Sequence, residues 1–81
     1  MKAAANLRKH GVSFAEAESA LYDPMALIRE DPDAIAERRF LTVGTGALGR
    51  VLMVCWTERN QTVRVISARL ANTQERKSYE S

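Results

Sequence analysis

Gly44-Thr45-Gly46-Ala47-Leu48-Gly49-Arg50-Val51-Leu52-Met53-Val54-Cys55-Trp56-Thr57 decides how this chain folds, because two opposed readings of it are available. Gly44 to Gly49 match the dinucleotide fingerprint G-x-G-x-x-G, which would make the domain a parallel α/β fold. That fingerprint needs a helix directly after it, whose N-terminus holds the pyrophosphate, and an acidic residue ~20 positions on. Directly after Gly49 stands instead Arg50 to Thr57, a run apolar on both faces that suits a strand in the middle of a sheet. The glycines therefore read as turn residues of a β-hairpin, and the sheet as antiparallel.

Working outward, Glu58-Arg59-Asn60-Gln61 reads as a turn and Thr62 to Ala68 as the returning strand. On the other side, Arg39-Phe40-Leu41-Thr42-Val43 alternates as a strand. Asp31-Pro32-Asp33 reads as a turn, and Met25-Ala26-Leu27-Ile28 as a further short strand. Lys2 to His10 is built of good helix formers and ends at Gly11, a residue suited to a left-handed helix stop. Ser13-Phe14-Ala15-Glu16 has the S-x-x-E form of a capping box, and the helix it opens closes at Tyr22-Asp23-Pro24. Asn72 with Glu75 three residues on predicts a second capping box and a short terminal helix. Two helices, an antiparallel sheet and a last helix make an α+β fold, expected as one domain over residues 1–81.

With 81 residues, 46% of them hydrophobic and 27% charged, the composition is that of a folded domain and not of a disordered tail. The net charge of +2 hides an asymmetry. Residues 1–37 carry four Lys/Arg against seven Asp/Glu, whereas residues 38–81 carry eight against three. The second half is basic and its cations are almost all arginine, whose planar fork suits phosphate oxygens. The lone Cys55 lies in an apolar run and reads as a buried inert thiol. One His and one Cys far apart give no metal-ligand cluster, so neither a metal nor another cofactor is expected. No apolar run approaches the ~18 residues that span a membrane, and a cytoplasmic protein is expected.

His10 is the only imidazole and belongs to the one residue type whose ordinary titration range lies near neutrality, which makes it a candidate general acid or base. A cation in a last helical turn is also favoured by the helix dipole, by roughly 0.3–1 kcal/mol, with no function required. Trp56 and Phe40 lie in apolar strands and read as core; Tyr79, near the end of a polar helix, is the better phenol for a site. Arg59 falls at a hairpin turn, Arg69 at the end of the returning strand and Arg76 one turn into the last helix. Hairpin geometry alone does not bring those three together.

In order and spacing, Lys9-His10-Gly11-Val12-Ser13-Phe14, Asp23-Pro24, Glu37 to Gly44, Gly49-Arg50-Val51-Leu52, Thr57-Glu58-Arg59, Ile66-Ser67-Ala68-Arg69 and Glu75-Arg76…Tyr79 resemble the BrnT family of bacterial toxins. The resemblance implies a RelE-like fold, with N-terminal helices packed on a small antiparallel sheet. It implies a metal-independent ribonuclease of a type II toxin-antitoxin system that inhibits translation and growth. It also implies a BrnA-like ribbon-helix-helix antitoxin, a hetero-oligomer with that antitoxin, and operator DNA bound only through the complex.

In the implied reaction the substrate's own 2′-hydroxyl attacks the neighbouring phosphate, leaving a cyclic phosphate and a free 5′-hydroxyl. That needs a base, an acid and cations for the developing charge. On the matching positions, His10 or Lys9 would move the proton, Arg59 and Arg69 would clamp the phosphate, and Glu58 or Tyr79 would orient or transfer protons. Arg50, Arg64 and Arg76 would bind substrate. Two departures point to a weakened, partner-dependent member or a start further upstream. The family's short aromatic strand ahead of the first helix is not found before Lys2, and Asp33-Ala34-Ile35-Ala36 stands where a family histidine is often found. The alternatives are thus a degenerate member that binds antitoxin or nucleic acid without cutting, or a plain structural domain.

Overall fold

The chain runs α1 (Lys2–His10), α2 (Phe14–Ala20), β1 (Leu27–Glu30), β2 (Phe40–Thr45), β3 (Val51–Arg59), β4 (Thr62–Leu70) and α3 (Thr73–Glu80). The computed structural model describes residues 2–81, so the expected lack of the family's strand ahead of α1 lies outside the described residues. The four strands form one sheet in the order β1-β2-β3-β4, every neighbouring pair antiparallel. This α+β arrangement is the expected one, and a RelE-like layout is compatible with it.

Local chemistry explains most boundaries. Gly11 takes φ +69° and ends α1, its N–H donating to the Leu7 carbonyl at 2.8 Å. Asn72 and Glu75 form the full reciprocal capping box that opens α3. Ser13 makes only half of its box: its hydroxyl accepts from the Glu16 N–H, while the Glu16 carboxylate turns inward to Arg50. Asn60 and Gln61 both have positive φ, so the β3–β4 loop is a two-residue turn that suits the strands' twist. The expected four-residue turn is corrected accordingly, since Glu58 and Arg59 remain in β3. The first strand starts two residues later than its apolar run predicts, at Leu27, because Asp23 caps the preceding corner by accepting from the Met25 N–H at 2.9 Å.

Gly44 is a strand residue of β2 and not a turn residue. The turn is made by the residues after it, with Gly46 donating to the Arg50 carbonyl and Gly49 donating to the Gly46 carbonyl at φ +80°. A Cβ on Gly44 would stand 2.6 Å from the Ala20 carbonyl oxygen, so α2 sits directly on the glycine backbone. Gly44→Ala is therefore expected to lower stability by about 1–3 kcal/mol through overpacking, read as a lower urea midpoint. An unchanged midpoint would show that α2 does not rest there.

The core lies between the helices and one sheet face: Val12, Ala17 and Ala20 pack on Leu52, Val54 and Ala68, with Leu21, Trp56 and Val65 at its margin. Phe40 and Trp56, directly paired across β2 and β3, stack at 4.7 Å between centroids, and the Trp56 indole N–H donates to Thr42 Oγ1 at 2.8 Å. Their partly buried positions agree with the core assignment. Alternation along the strands sends Leu41, Val43, Met53, Cys55 and Arg69 to the opposite face. Among the described elements only α3 borders that face, Gln74, Glu75 and Ser78 lining a groove with Leu27, Leu41, Val43 and Met53.

Candidate functional site

The open face carries two rows set by strand register. Arg29 pairs with Leu41, Leu41 with Cys55 and Cys55 with Ser67, while Leu27, Val43, Met53 and Arg69 form the row beside it. At the β4 edge α1 ends, and His10 comes to lie over these rows. His10, Arg29, Ser67, Arg69 and Glu75 then line one groove floored by Leu41, Met53 and Cys55. His10 is half-buried there, whereas the adjacent Lys9 is exposed and outside the groove.

Arg69 is held by Glu75, its two terminal nitrogens donating to the two carboxylate oxygens at 2.8 Å each. That fork raises the Arg69 pKa and lowers the Glu75 pKa, the latter also through the Asn72 backbone N–H. Glu75 thus serves as N3 of the capping box and as the anion on Arg69. Burial pushes the Cys55 thiol up, against the weaker opposing pull of Arg39, so it stays protonated and poorly nucleophilic.

The remaining expected site residues are dispersed. Arg69 is opposite Met53 and Arg59 opposite Thr62, six positions further along β3, or about 20 Å at the rise of an extended strand. Arg59 donates to Glu37 at 2.7 Å and shares a second cleft with Arg64, Lys2 and Arg39. Glu58 is exposed beside that turn. Arg50 grips the buried Glu16 carboxylate and the Gly11 carbonyl, which ties β3 to the α1–α2 corner. Arg76 is exposed and reaches only Glu80, at 4.0 Å.

Tyr79 is not the free phenol that its place near the chain end suggests. Its hydroxyl donates to Asp23 Oδ2 and meets Thr45 Oγ1 at 2.8 Å, pinning α3 to the corner between α2 and β1. Asp23 also accepts from the Thr45 N–H at 2.8 Å, and its pKa is lowered by Thr45 first, then Tyr79 and Met25. A folded pKa below the unfolded one, ~3.9, contributes stability that is present above the unfolded value and lost as pH falls through the folded one. Asp23→Asn is therefore expected to flatten the acid limb of urea midpoint against pH below about pH 4. An acid limb as steep as the parent's would show that this carboxylate does not couple to folding.

The strand numbering gives no hint of Arg29 in the groove, because only the register across four strands puts it in one row with Ser67, at the opposite edge of the sheet. Glu75 was legible as a cap but not as the partner of Arg69. Among the described residues, no group of three or more His, Cys, Asp or Glu side chains could hold a metal ion. Nor is any described helix long and apolar enough to cross a membrane.

No curated protein matches the chain closely enough to serve as a relative. The sequence profile of a family described as "Ribonuclease toxin, BrnT, of type II toxin-antitoxin system" matches residues 1–75, from α1 through the α3 capping box, which spans every residue of the His10 groove. The chain belongs to the BrnT family of ribonuclease toxins.

Proposed function

We propose that this chain cleaves RNA in the His10 groove without a metal, and that a BrnA-like ribbon-helix-helix antitoxin holds it inactive. The observation that supports this reading is the company of the single imidazole: His10 shares one groove with Arg29 and Arg69. In the proposed reaction the substrate 2′-oxygen bonds to phosphorus as the bond from phosphorus to the 5′-oxygen breaks. The 2′-hydroxyl gives up its proton and the 5′-oxygen gains one; His10 carries one of these transfers and solvent water the other, while the two arginines meet the charge that develops on the phosphoryl oxygens. The paired Glu75 carboxylate occupies the Arg69 fork in the resting protein, so phosphate binds there by exchange. The cut inhibits translation and growth in the cytoplasm, and the antitoxin complex, a hetero-oligomer, carries the operator DNA binding.

The test is induction of the chain in a bacterial host with and without its antitoxin, followed by mapping of RNA ends. Growth arrest with new 5′-hydroxyl ends, insensitive to EDTA in a purified reaction and reversed by the antitoxin, is the expected result. One feature favours the weaker alternative of a binding-only member, namely the complete engagement of the Arg69 fork by Glu75. Normal growth with folded, antitoxin-binding protein would establish that alternative.

A further inference from the structure

A second cleft lies at the other end of the sheet. Lys2, Arg39, Arg59 and Arg64 line it around a single carboxylate, Glu37, with Thr57, Val65 and Ile66 as its floor. These residues come from α1, the segment before β2, β3 and β4, so no local pattern gathers them. Arg39, Arg59 and Arg64 are all exposed, and only Arg59 is tied to Glu37, at 2.7 Å. The charge is concentrated enough that Arg59, Arg39 and Arg64 together hold the Glu37 carboxyl below the usual range, the hydrogen bond from Arg59 contributing most. Four cations and one anion line the cleft, which leaves an excess of positive charge among its lining residues.

The position of the cleft says what such charge is for. Arg64 is opposite Thr57 and Arg69 opposite Met53 on the same pair of strands. By strand alternation, broken once by the bulge opposite Cys55 and Trp56, Arg64 and Arg69 point to the same sheet face. The distance between them along β4 is about 16 Å, more than one phosphate can bridge. Exposed arginines stand at both sites, Arg29 in the groove and Arg39, Arg59 and Arg64 in the cleft. A chain of regularly spaced anions fits this layout better than a compact ligand does.

We propose that the Glu37 cleft is a second phosphate subsite, in which Arg39, Arg59 and Arg64 hold the backbone of a single-stranded RNA some nucleotides away from the phosphate in the His10 groove. Glu37 acts as the resident counter-ion: it keeps Arg59 in place in the free protein and is exchanged for phosphate on binding. The inference rests on the reading of the chain as an RNA-cleaving toxin and adds where the uncut part of the strand is held. It makes one demand that a structural ion pair would not, since removing the Glu37 charge must improve RNA binding.

The experiment measures binding of a short 2′-O-methyl RNA, which cannot be cut, by fluorescence anisotropy across a salt series. The variants are the double change Arg39→Gln with Arg64→Gln, the single change Glu37→Gln, and His10→Ala, each checked for folding by circular dichroism. The double variant is expected to bind about tenfold more weakly, with a plot of log affinity against log salt flatter by about 1.4. Glu37→Gln is expected to bind about threefold more tightly. Unchanged affinity and slope in the double variant, weaker binding in Glu37→Gln, or no binding by the parent would each overturn the subsite. A poly-glutamate peptide that binds through Arg39 and Arg64 where the RNA does not would overturn it in favour of an acidic protein segment. If instead His10→Ala still cuts RNA while the double variant loses binding, the subsite stands and the groove assignment falls.

Discussion

Asn6→Ala is expected to lower stability by about 2–4 kcal/mol, a large share of what a domain of this size has. Asn6 is buried in α1, and its amide lies against the outer edge of β4. The Nδ2 group donates to the Ala68 carbonyl at 2.9 Å and to the Val12 carbonyl at 2.8 Å, while Oδ1 accepts from the Ala68 N–H at 3.0 Å. A side-chain amide has the same donor and acceptor as a peptide group, so Asn6 stands in at that point for a neighbouring strand. Truncation removes three hydrogen bonds at once and strands the backbone groups of two residues that are essentially inaccessible to water, Val12 at 0% and Ala68 at 2% exposure. An unmet buried backbone group costs about 1–3 kcal/mol, and partial entry of water accounts for the lower end of the range. Asn6→Asp is expected to be worse than Asn6→Ala, because a carboxylate would face two carbonyl oxygens and could donate to neither unless protonated. Urea unfolding of the three proteins checks both statements. A loss below about 1 kcal/mol for the alanine variant would mean that the β4 edge tolerates being left open.

His10→Ala is expected to reduce RNA cleavage by about 10²- to 10⁴-fold, the ordinary worth of a positioned proton-transfer group. That corresponds to about 2.7–5.5 kcal/mol on the barrier. The same substitution removes a half-buried side chain at the end of α1, expected to change stability by about 1 kcal/mol or less, so activity and stability separate. Lys9→Ala is the internal comparison: Lys9 lies beside His10 in the last turn of α1 but is exposed and outside the groove. It is expected to keep cleavage within a few-fold of the parent. Cleavage rates of the purified variants on one RNA, with the pH–rate profile of the parent and of Lys9→Ala, decide the matter. Equal rates for the parent and for His10→Ala would remove the imidazole from the chemistry.

Much of the fold is set by adjacent residues. The helix former run closed by Gly11, the Asn72 and Glu75 box, and the apolar run Val51 to Trp56 each specify their element through contacts within a few positions. The same locality explains the rejection of the glycine fingerprint, since a strand cannot offer the helix N-terminus that a pyrophosphate needs. Local patterns mislead where a distant partner overrides them. Glu16 abandons its capping role because Arg50, thirty-four positions away, offers a buried carboxylate a better fork. Tyr79 looks free on a polar helix until Asp23 and Thr45 take its hydroxyl.

Candidate chemistry was only partly legible for the same reason. Residue types were visible in the chain, an imidazole near its start and arginines near its end, and so was their order, which carries the family. Their grouping was not, because strand register sorts arginines of one sequence stretch into different places. Arg69 joins His10 and Arg29; Arg59 and Arg64 join Glu37; Arg50 goes to Glu16. Local hydrogen bonding and hydrophobic periodicity act over a few residues and are written in the chain itself. A site is made by side chains that meet across strands, and which ones meet is decided only when the sheet has paired, α2 has covered its other face and α3 has come to border this one.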